Sequence, residues 1–280
     1  MINWYPGHMT KAMRMIEENL RIADTVVYVL DARAPLSCIN PNFESMLGSM
    51  PVIYAVNKAE LGDKTRVSEC IARLSANGRR AIALSATASK STAPVLNAIR
   101  ELCDEKINKA LLKGVRKSIK CMVLGVPNTG KSTIINNLCG SAKTVTGNKA
   151  GVTRGKQWVR VNERLEVLDT PGTLYPKLSD QRVARRLAYI GSIKDEILDT
   201  YELACSLADE LNELYPEAIT SRYNIEKSTG EECLQAVARS RGYMLKGGNA
   251  DTERAALALI DDLRRGKLGA ITFDRVSEFE

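Results

Sequence analysis

Histidine and paired cysteines are nearly missing from this chain of 280 residues. It contains one histidine, His8, and seven cysteines that stand singly, without a C-x-x-C pair. Zinc sites need several such ligands at set spacings, so this pattern excludes the familiar zinc frameworks. We expect the cysteines to be reduced and buried, as is usual inside cells.

Long apolar runs are missing as well. No stretch of 18 or more apolar residues occurs, and residues 1–10 lack the charged and apolar regions of a secretory signal. The sequence therefore predicts no membrane span, and we expect a soluble, cytoplasmic protein.

The chain does contain enough apolar residues, 44%, for one sizeable core and a second, smaller domain. Its net charge of +7 is unevenly distributed. Residues 1–177 contain 26 Lys and Arg against 14 Asp and Glu, whereas residues 178–280 contain 14 against 19. The basic first part favours a polyanionic partner such as RNA, and a basic surface that only aids solubility is the alternative.

Strand and helix patterns alternate in the first part of the chain. Short apolar or β-branched runs predict buried strands, and stretches with helical spacing separate them. The predicted strands are 25–30, 52–56, 81–84, 119–124 and 165–168, and the predicted helices are 9–23, 63–76, 92–112 and 131–138. This alternation predicts an α/β fold with a mostly parallel sheet and helices on both faces.

After Gly172 the pattern becomes helical. The stretches with helical spacing are 183–190, 193–215, 233–241 and 252–265. We therefore expect an α/β nucleotide-binding domain over residues 1–177 and a smaller all-helical domain over residues 178–280.

A complete phosphate-binding loop, GVPNTGKS, spans residues 125–132 between a predicted strand and a predicted helix. In such loops the backbone wraps the nucleotide phosphates, the lysine reaches the outer phosphates and the final hydroxyl ligates magnesium. The predicted phosphate-binding residues are Asn128, Thr129, Gly130, Lys131, Ser132 and Thr133. For Thr133, helix packing or an N-terminal hydrogen bond is the favoured alternative.

The tetrapeptide Asp169-Thr170-Pro171-Gly172 follows the predicted strand 165–168. It can place a carboxylate beside magnesium and Gly172 where a γ-phosphate is sensed. The glycine-rich stretch 147–156 suits a mobile loop whose Thr153 closes over the metal, with an ordinary loop threonine as the alternative. The predicted Mg²⁺ ligands are Ser132, Thr153 and Asp169.

The residues that would recognise the base precede the phosphate loop instead of following it. Asn57 and Lys58 come directly after the strand 52–56, at the sheet edge where such folds bind ligands. An acid nearby can accept from the N1–H and the amine of guanine, a donor pair that adenine lacks, so an ATP-dependent enzyme is disfavoured. Glu60 stands where Asp is expected, and its extra methylene either preserves both bonds or loosens selectivity. The predicted guanine-binding residues are Asn57, Lys58, Glu60, Ser85 and Ala86.

This reversed motif order indicates a nucleotide switch with a circularly permuted chain. The motifs resemble those of the translation-factor-related P-loop GTPases, and among them the permuted ribosome biogenesis GTPase A (YlqF/RbgA-like) family. Residues 4–12 and 263–269 resemble that family's N-terminal and C-terminal signatures. The resemblance implies an enzyme that binds GTP and GDP, hydrolyses GTP and binds a late large-ribosomal-subunit precursor of ribosomal RNA and proteins. It further implies an RNA-contacting helical domain and a monomer off the ribosome.

The glutamine that many GTPases place after the D-x-x-G glycine is absent, because Thr173 and Leu174 follow Gly172. The resemblance instead points to His8 as the catalytic group, with a histidine that only caps or packs the first helix as the alternative. It also implies that Asn128 marks an activating K⁺ ion, with a turn-stabilising asparagine as the alternative. A nucleotide-gated RNA- or protein-binding module without significant turnover is the alternative function.

RNA contact by the acidic helical part needs local positive charge. The stretches 239–246 and 264–267 are candidates, with Tyr243 able to stack on a base, and solvated helix ends are the alternative. Because the chain leaves the sheet after Gly172, we also expect residues 173–177 to couple the γ-phosphate to the position of the helical domain.

Overall fold

The computed structural model describes residues 8–88, 90–115, 117–140, 157–174 and 180–279. The strands in these ranges are β1 (Thr25–Asp31), β2 (Val52–Asn57), β3 (Arg80–Ala83), β4 (Ile119–Leu124), β5 (Gln157–Asn162) and β6 (Leu165–Asp169). The helices are α1 (His8–Leu20), α2 (Pro41–Leu47), α3 (Lys64–Leu74), α4 (Ala93–Leu111), α5 (Lys131–Cys139), α6 (Gln181–Tyr189), α7 (Thr200–Leu214), α8 (Glu217–Tyr223), α9 (Gly230–Arg241) and α10 (Thr252–Arg264).

The six strands form one sheet in the order β3-β2-β1-β4-β6-β5. All neighbouring pairs are parallel except β5 and β6, which are antiparallel. Strands β1 and β2 are buried over their whole length, which is why they read as continuous apolar runs. The prediction of an α/β fold with a mostly parallel sheet is confirmed.

Alternate residues of the central strands face two separate cores, as the pleat of a strand requires. Val27, Val29 and Ile53 lie in a core with buried residues of α4 and α5. Tyr28 and Leu30 face the other core, which includes buried residues of α2 and α3 and continues into α6–α10. Helices therefore cover both faces of the sheet.

Helices α6–α10, here called the helical part (residues 180–264), pack around α7 and α10. Apolar residues at helical spacing form the buried stripe of α10, namely Ala255, Ala256, Leu259, Ile260 and Leu263. Because the core of the helical part is continuous with one core of the sheet, the division at residue 177 into two domains stays a prediction.

Some elements differ from the sequence-based prediction. The helix expected over 193–215 begins only at Thr200, because the Asp199 carboxylate caps it by accepting from Glu202 N at 2.9 Å. The short helices α2 and α8 and the edge strand β5 were not predicted. None of the described helices is long and apolar enough to cross a membrane.

Candidate nucleotide site

Parallel strand ends bring the motifs to one edge of the sheet. Asp31 at the end of β1 pairs in register with Asn57 at the end of β2, and Val123 pairs with Asp169. The phosphate loop, residues 125–132, begins directly after β4 at this same edge. A ligand held there can contact residues from four neighbouring strands.

The two glycines that frame the phosphate loop are required by their surroundings. Gly125 has φ +149°, and a Cβ there would lie 2.4 Å from the Val29 carbonyl oxygen. Gly130 has φ +94°, and its Cβ would lie 2.2 Å from Asn57 Nδ2. Both positions combine a backbone conformation that favours glycine with a close neighbour. The loop is therefore folded against β1 and against the residues at the end of β2.

Lys131 is buried at the start of α5, inside the phosphate loop. Its Nζ donates to the Val126 carbonyl at 2.9 Å, and Thr129 Oγ1 donates to the same oxygen at 3.1 Å. Burial lowers the pKa of the Lys131 ammonium to about 8, while the charge of Asp169 acts in the opposite direction. A bound phosphate would supply this ammonium with a counter-charge.

Ser132 and Asp169 present oxygen ligands side by side. Ser132 Oγ donates to Asp169 Oδ2 at 3.0 Å, across the gap between α5 and the end of β6. Hydroxyl and carboxylate oxygens suit Mg²⁺, which binds few protein groups and keeps its other positions for water and phosphate. These two residues fit the predicted metal site, whereas Thr153 lies outside the described residues. Thr133 is half-buried in the first turn of α5.

Gly172 lies against the phosphate loop. A Cβ at this position would be 2.7 Å from Pro127 Cα and 2.8 Å from Lys131 Nζ, so only glycine fits without movement. The next residue, Thr173, donates its backbone N–H to the Gly125 carbonyl at 3.4 Å. The D-x-x-G motif and the phosphate loop are thus in direct contact.

Asn57 joins the base-recognition motif to the phosphate loop. Its Nδ2 donates to the Thr129 carbonyl at 2.8 Å, and its Oδ1 accepts from Ala86 N at 2.9 Å. The side chain is 2% exposed. One amide therefore links three segments that are far apart in sequence. Ser85 directly precedes Ala86, and its hydroxyl lies 3.2 Å from Thr87 Oγ1.

Lys58 lies across the phosphate loop. Its φ of +59° turns the chain after β2, and its Nζ donates to the Asn128 carbonyl at 2.7 Å. The same Nζ is 2.8 Å from Asp31 Oδ2, and the carboxylate of Asp31 also receives the guanidinium of Arg33 at 2.7 Å. Although burial opposes it, these two cations hold the pKa of Asp31 well below its usual value.

Asp31 and Arg33 were not among the predicted site residues. A signal was available, since both follow an apolar strand where a buried charge needs a partner. Glu60 is exposed and lies in the short turn Ala59–Leu61, directly after Lys58. His8 begins α1, and its side chain lies outside the described part of the structure.

The phosphate loop also contacts the helical part. Asn128 has φ +62°, and its Nδ2 donates to the Gly191 carbonyl at 2.6 Å. Ser192 Oγ donates to the Pro127 carbonyl at 2.7 Å. Residues just after α6 therefore touch the loop that would hold the phosphates.

Comparisons with known proteins identify the family of this chain. Residues 120–230 match the family described as 50S ribosome-binding GTPase. The chain is 37% identical to ribosome biogenesis GTPase A of Bacillus cereus, over 100% of this chain and 95% of that protein. It is 32% identical to the protein of that name from Thermotoga maritima, over 98% and 94%.

Solved structures give the same result. GNP-bound YlqF from T. maritima is similar with a TM-score of 0.66 and 28% identity, over 95% of this chain and 98% of that chain. For GDP-bound YlqF the TM-score is 0.65 at 28% identity, over 94% and 100%.

The fold and the site define a P-loop GTPase, an enzyme that hydrolyses GTP. The predicted base-recognition residue Asn57 precedes the phosphate loop in the chain, yet the two are in contact. The chain belongs to the ribosome biogenesis GTPase A family, as the resemblance implied.

Proposed function

We propose that this GTPase binds a late precursor of the large ribosomal subunit and couples GTP binding and hydrolysis to its assembly. The observation that carries the nucleotide site is the Asn57 amide, bonded to both the Thr129 carbonyl and Ala86 N. These bonds link the predicted base-binding and phosphate-binding residues to each other. The relatives named for ribosome biogenesis, and a family described as binding the 50S particle, support the ribosomal partner.

Guanine would be recognised at the end formed by Asn57, Lys58, Glu60 and the backbone N–H groups of residues 85–86. The phosphates would lie in the loop 125–132, where Lys131 reaches them. Ser132 and Asp169 would hold Mg²⁺, together with Thr153. The metal, when bound, neutralises charge on the phosphate oxygens. Gly172, next to Lys131, would lie beside the γ-phosphate.

Many GTPases orient the attacking water with a glutamine directly after the D-x-x-G glycine. In this chain Thr173 stands at that position, so another residue must activate the water. We assign this step to His8, whose reference pKa of about 6.5 suits it to orient or deprotonate water near neutral pH. The K⁺ site assigned to Asn128 predicts faster turnover in potassium than in sodium at equal ionic strength.

We place the proposed RNA-binding surface of the helical part on a shorter stretch than the two stretches that the sequence alone suggested. Arg264 donates to the carbonyls of Ala188 and Tyr189 and pairs with Asp195, so it is occupied in the fold. Around Tyr243, Met244 and Leu245 are half-exposed, and Arg254 stacks on the ring at 4.2 Å from its centroid and brings positive charge to this surface. We therefore propose that RNA contacts the stretch 239–246.

The central test is co-sedimentation with large-subunit precursors in the presence of a non-hydrolysable GTP analogue, GDP or no nucleotide, with turnover measured on the same particles. We expect the strongest binding with the analogue and faster hydrolysis on the particle. Binding that does not depend on the nucleotide, or hydrolysis that the particle does not change, would overturn the coupling. The latter result with intact binding would favour the nucleotide-gated module.

The role of His8 is tested separately. We expect His8→Ala to bind GTP with near-normal affinity but to lose most of the particle-stimulated rate, on the order of 100-fold, a typical contribution of general acid–base catalysis. Single-turnover assays over a range of GTP concentrations, with and without particles, measure the GTP affinity and the stimulated rate. Equal stimulated rates in the two proteins would remove His8 from the mechanism.

A further inference from the structure

A segment after α10 returns to the sheet edge and lies beside the base-recognition turn. We call this segment, residues 266–274, the strap. At its start, a Cβ on Gly266 (φ +71°) would lie 2.6 Å from Leu61 Cδ2. Farther along, Ile271 N donates to the Leu61 carbonyl at 2.9 Å. The strap therefore contacts the last residue of the turn that carries Glu60.

Thr272 is the central residue of the strap. It is fully buried, and its Oγ1 donates to the Ala32 carbonyl at 2.8 Å and accepts from Asp63 N at 3.0 Å. One hydroxyl thus fixes the backbone after β1 and the backbone just beyond the base-recognition turn.

The same residue is held from the opposite side by the helical part. Thr272 N donates to the hydroxyl of Tyr215, and that hydroxyl donates to the Thr272 carbonyl, each at 3.0 Å. Tyr215 follows the last residue of α7. Arg66 of α3 adds a bond to the Thr272 carbonyl at 3.2 Å and lies over the Tyr215 ring. A movement of α7 would therefore pull on Thr272.

The end of the strap is also held by several hydrogen bonds and by an ion pair. Phe273 N donates to the Arg33 carbonyl at 2.7 Å. The buried Asp274 carboxylate accepts from the backbone N–H groups of Leu36 at 2.7 Å and Ser37 at 2.8 Å, and pairs with Arg186 of α6 at 3.2 Å. These bonds prevent the strap from sliding relative to the sheet edge.

Guanine recognition depends on where the turn holds Glu60, because a recognition group must lie within about 0.5 Å of its productive position. The inner side of the turn is fixed by Ala59 N, which donates to the Leu84 carbonyl at 3.1 Å. Its outer side is fixed by the strap, through the Leu61 carbonyl and Asp63 N.

We propose that the strap is a positioning element of the guanine site, and that it transmits the position of the helical part to the base end of the nucleotide. This proposal rests on the assignment of Asn57 and Glu60 as guanine-binding residues. Because the strap acts at the base, it affects GDP and GTP alike. A route through Gly172 and the γ-phosphate would affect GTP alone.

The test uses Thr272→Val, which keeps the side-chain shape and removes both Oγ1 bonds. The readout is the ratio of affinities for GDP and inosine diphosphate, which lacks the exocyclic amine that Glu60 would bind. We expect the affinity for GDP to fall about tenfold and that for inosine diphosphate about threefold, so that discrimination falls. A non-hydrolysable GTP analogue should weaken by the same factor as GDP.

The matched control is Thr25→Val. Like Thr272, Thr25 is fully buried, and its Oγ1 donates to the Pro51 carbonyl at 3.0 Å. Thr25 begins β1, at the end of the strand that lies away from Asp31 and the proposed guanine site. This variant should lose similar stability and keep the wild-type ratio. Tyr215→Phe, which removes only the attachment to α7, should reduce the ratio about twofold.

The outcomes separate the two hypotheses. If the wild-type protein does not discriminate between the two diphosphates, the assignment of the guanine site is wrong. If it discriminates and a folded Thr272→Val keeps the ratio, the strap has no positioning role. Should Thr272→Val not fold, an unchanged ratio in Tyr215→Phe would overturn the transmission from the helical part.

Discussion

The two ends of the proposed nucleotide site are attached to the rest of the molecule in different ways. At the phosphate end, two side chains of the described residues make hydrogen bonds to the opposite segment, Asn128 to the Gly191 carbonyl and Ser192 to the Pro127 carbonyl. At the base end, the strap is bonded along its length, and Asp31 holds two cations beneath the turn. The difference indicates that the phosphate end can adjust to its ligand, whereas the base end is built as part of the core.

The largest expected effect is on the phosphate end. Lys131→Met should weaken the binding of GDP and GTP by about 100-fold or more, because a buried charge-assisted bond to phosphate is lost. The free protein should be as stable as the wild type or more stable, since burying the ammonium costs free energy. Calorimetric titration and urea unfolding measure the two effects. Lys120→Met, a change on β4 outside the loop, is the control, and a Lys131 variant with normal affinity would contradict this prediction.

The next effect tests the base end. Asp31→Asn should lower the free energy of unfolding by about 3–5 kcal/mol, because Arg33 and Lys58 lose their shared counter-charge at a buried position. Asp261→Asn is the control, since Asp261 pairs with Arg265 on the surface of α10 and should change stability by less than about 0.5 kcal/mol. Equal urea midpoints for the two variants would show that the base end is not built into the core.

The pH dependence of binding follows from Lys131. Its pKa is about 8 in the free protein, and a bound phosphate would favour the charged form. Above pH 8 binding must therefore take up a proton, and affinity should fall by up to about tenfold per pH unit. Calorimetry in buffers of different ionisation enthalpy should detect more proton uptake at pH 8.5 than at pH 7; equal uptake would contradict this.

The stability of the nucleotide-free protein should change with pH in the opposite direction. The folded pKa of Lys131 lies below the ordinary lysine pKa of 10.5, so between about pH 8 and 10.5 the unfolded chain binds more protons at this site. This group therefore makes the free protein more stable as pH rises through that window.

The smallest effect concerns the contact between the phosphate loop and the helical part. Ser192→Ala removes the bond to the Pro127 carbonyl and should change the affinities for GDP and a GTP analogue by only about twofold to threefold. It should leave the ratio of the affinities for GDP and inosine diphosphate unchanged, in contrast with Thr272→Val. A shift in that ratio would mean that the two ends of the pocket are not separately attached.

Local patterns accounted for much of the fold. The strand 119–124 and the start of the helix at Lys131 were predicted at their observed positions, because an apolar run and a glycine-rich loop are signals within a short window. The sequence also led us to expect Asn57 and the phosphate loop in one pocket, which the structure places in contact.

Long-range attachments could not be predicted in the same way. Thr272 meets Asp63 and Ala32 across more than 200 residues of chain, and nothing in the neighbouring residues marks it. The same holds for Asp274, whose partners Leu36 and Ser37 lie near the start of the chain. Such contacts depend on how the helical part packs on the sheet, which single-sequence patterns do not encode.

The closeness of Gly130 and Asn57 explains why the order of the motifs along the chain has little effect on the pocket. No side chain fits between them, since even a methyl group at position 130 would overlap the amide. Their fit is made through space and needs no peptide link from one to the other. The chain can therefore be circularly permuted at another position, while this close contact between Gly130 and Asn57 keeps the two motifs in the same arrangement.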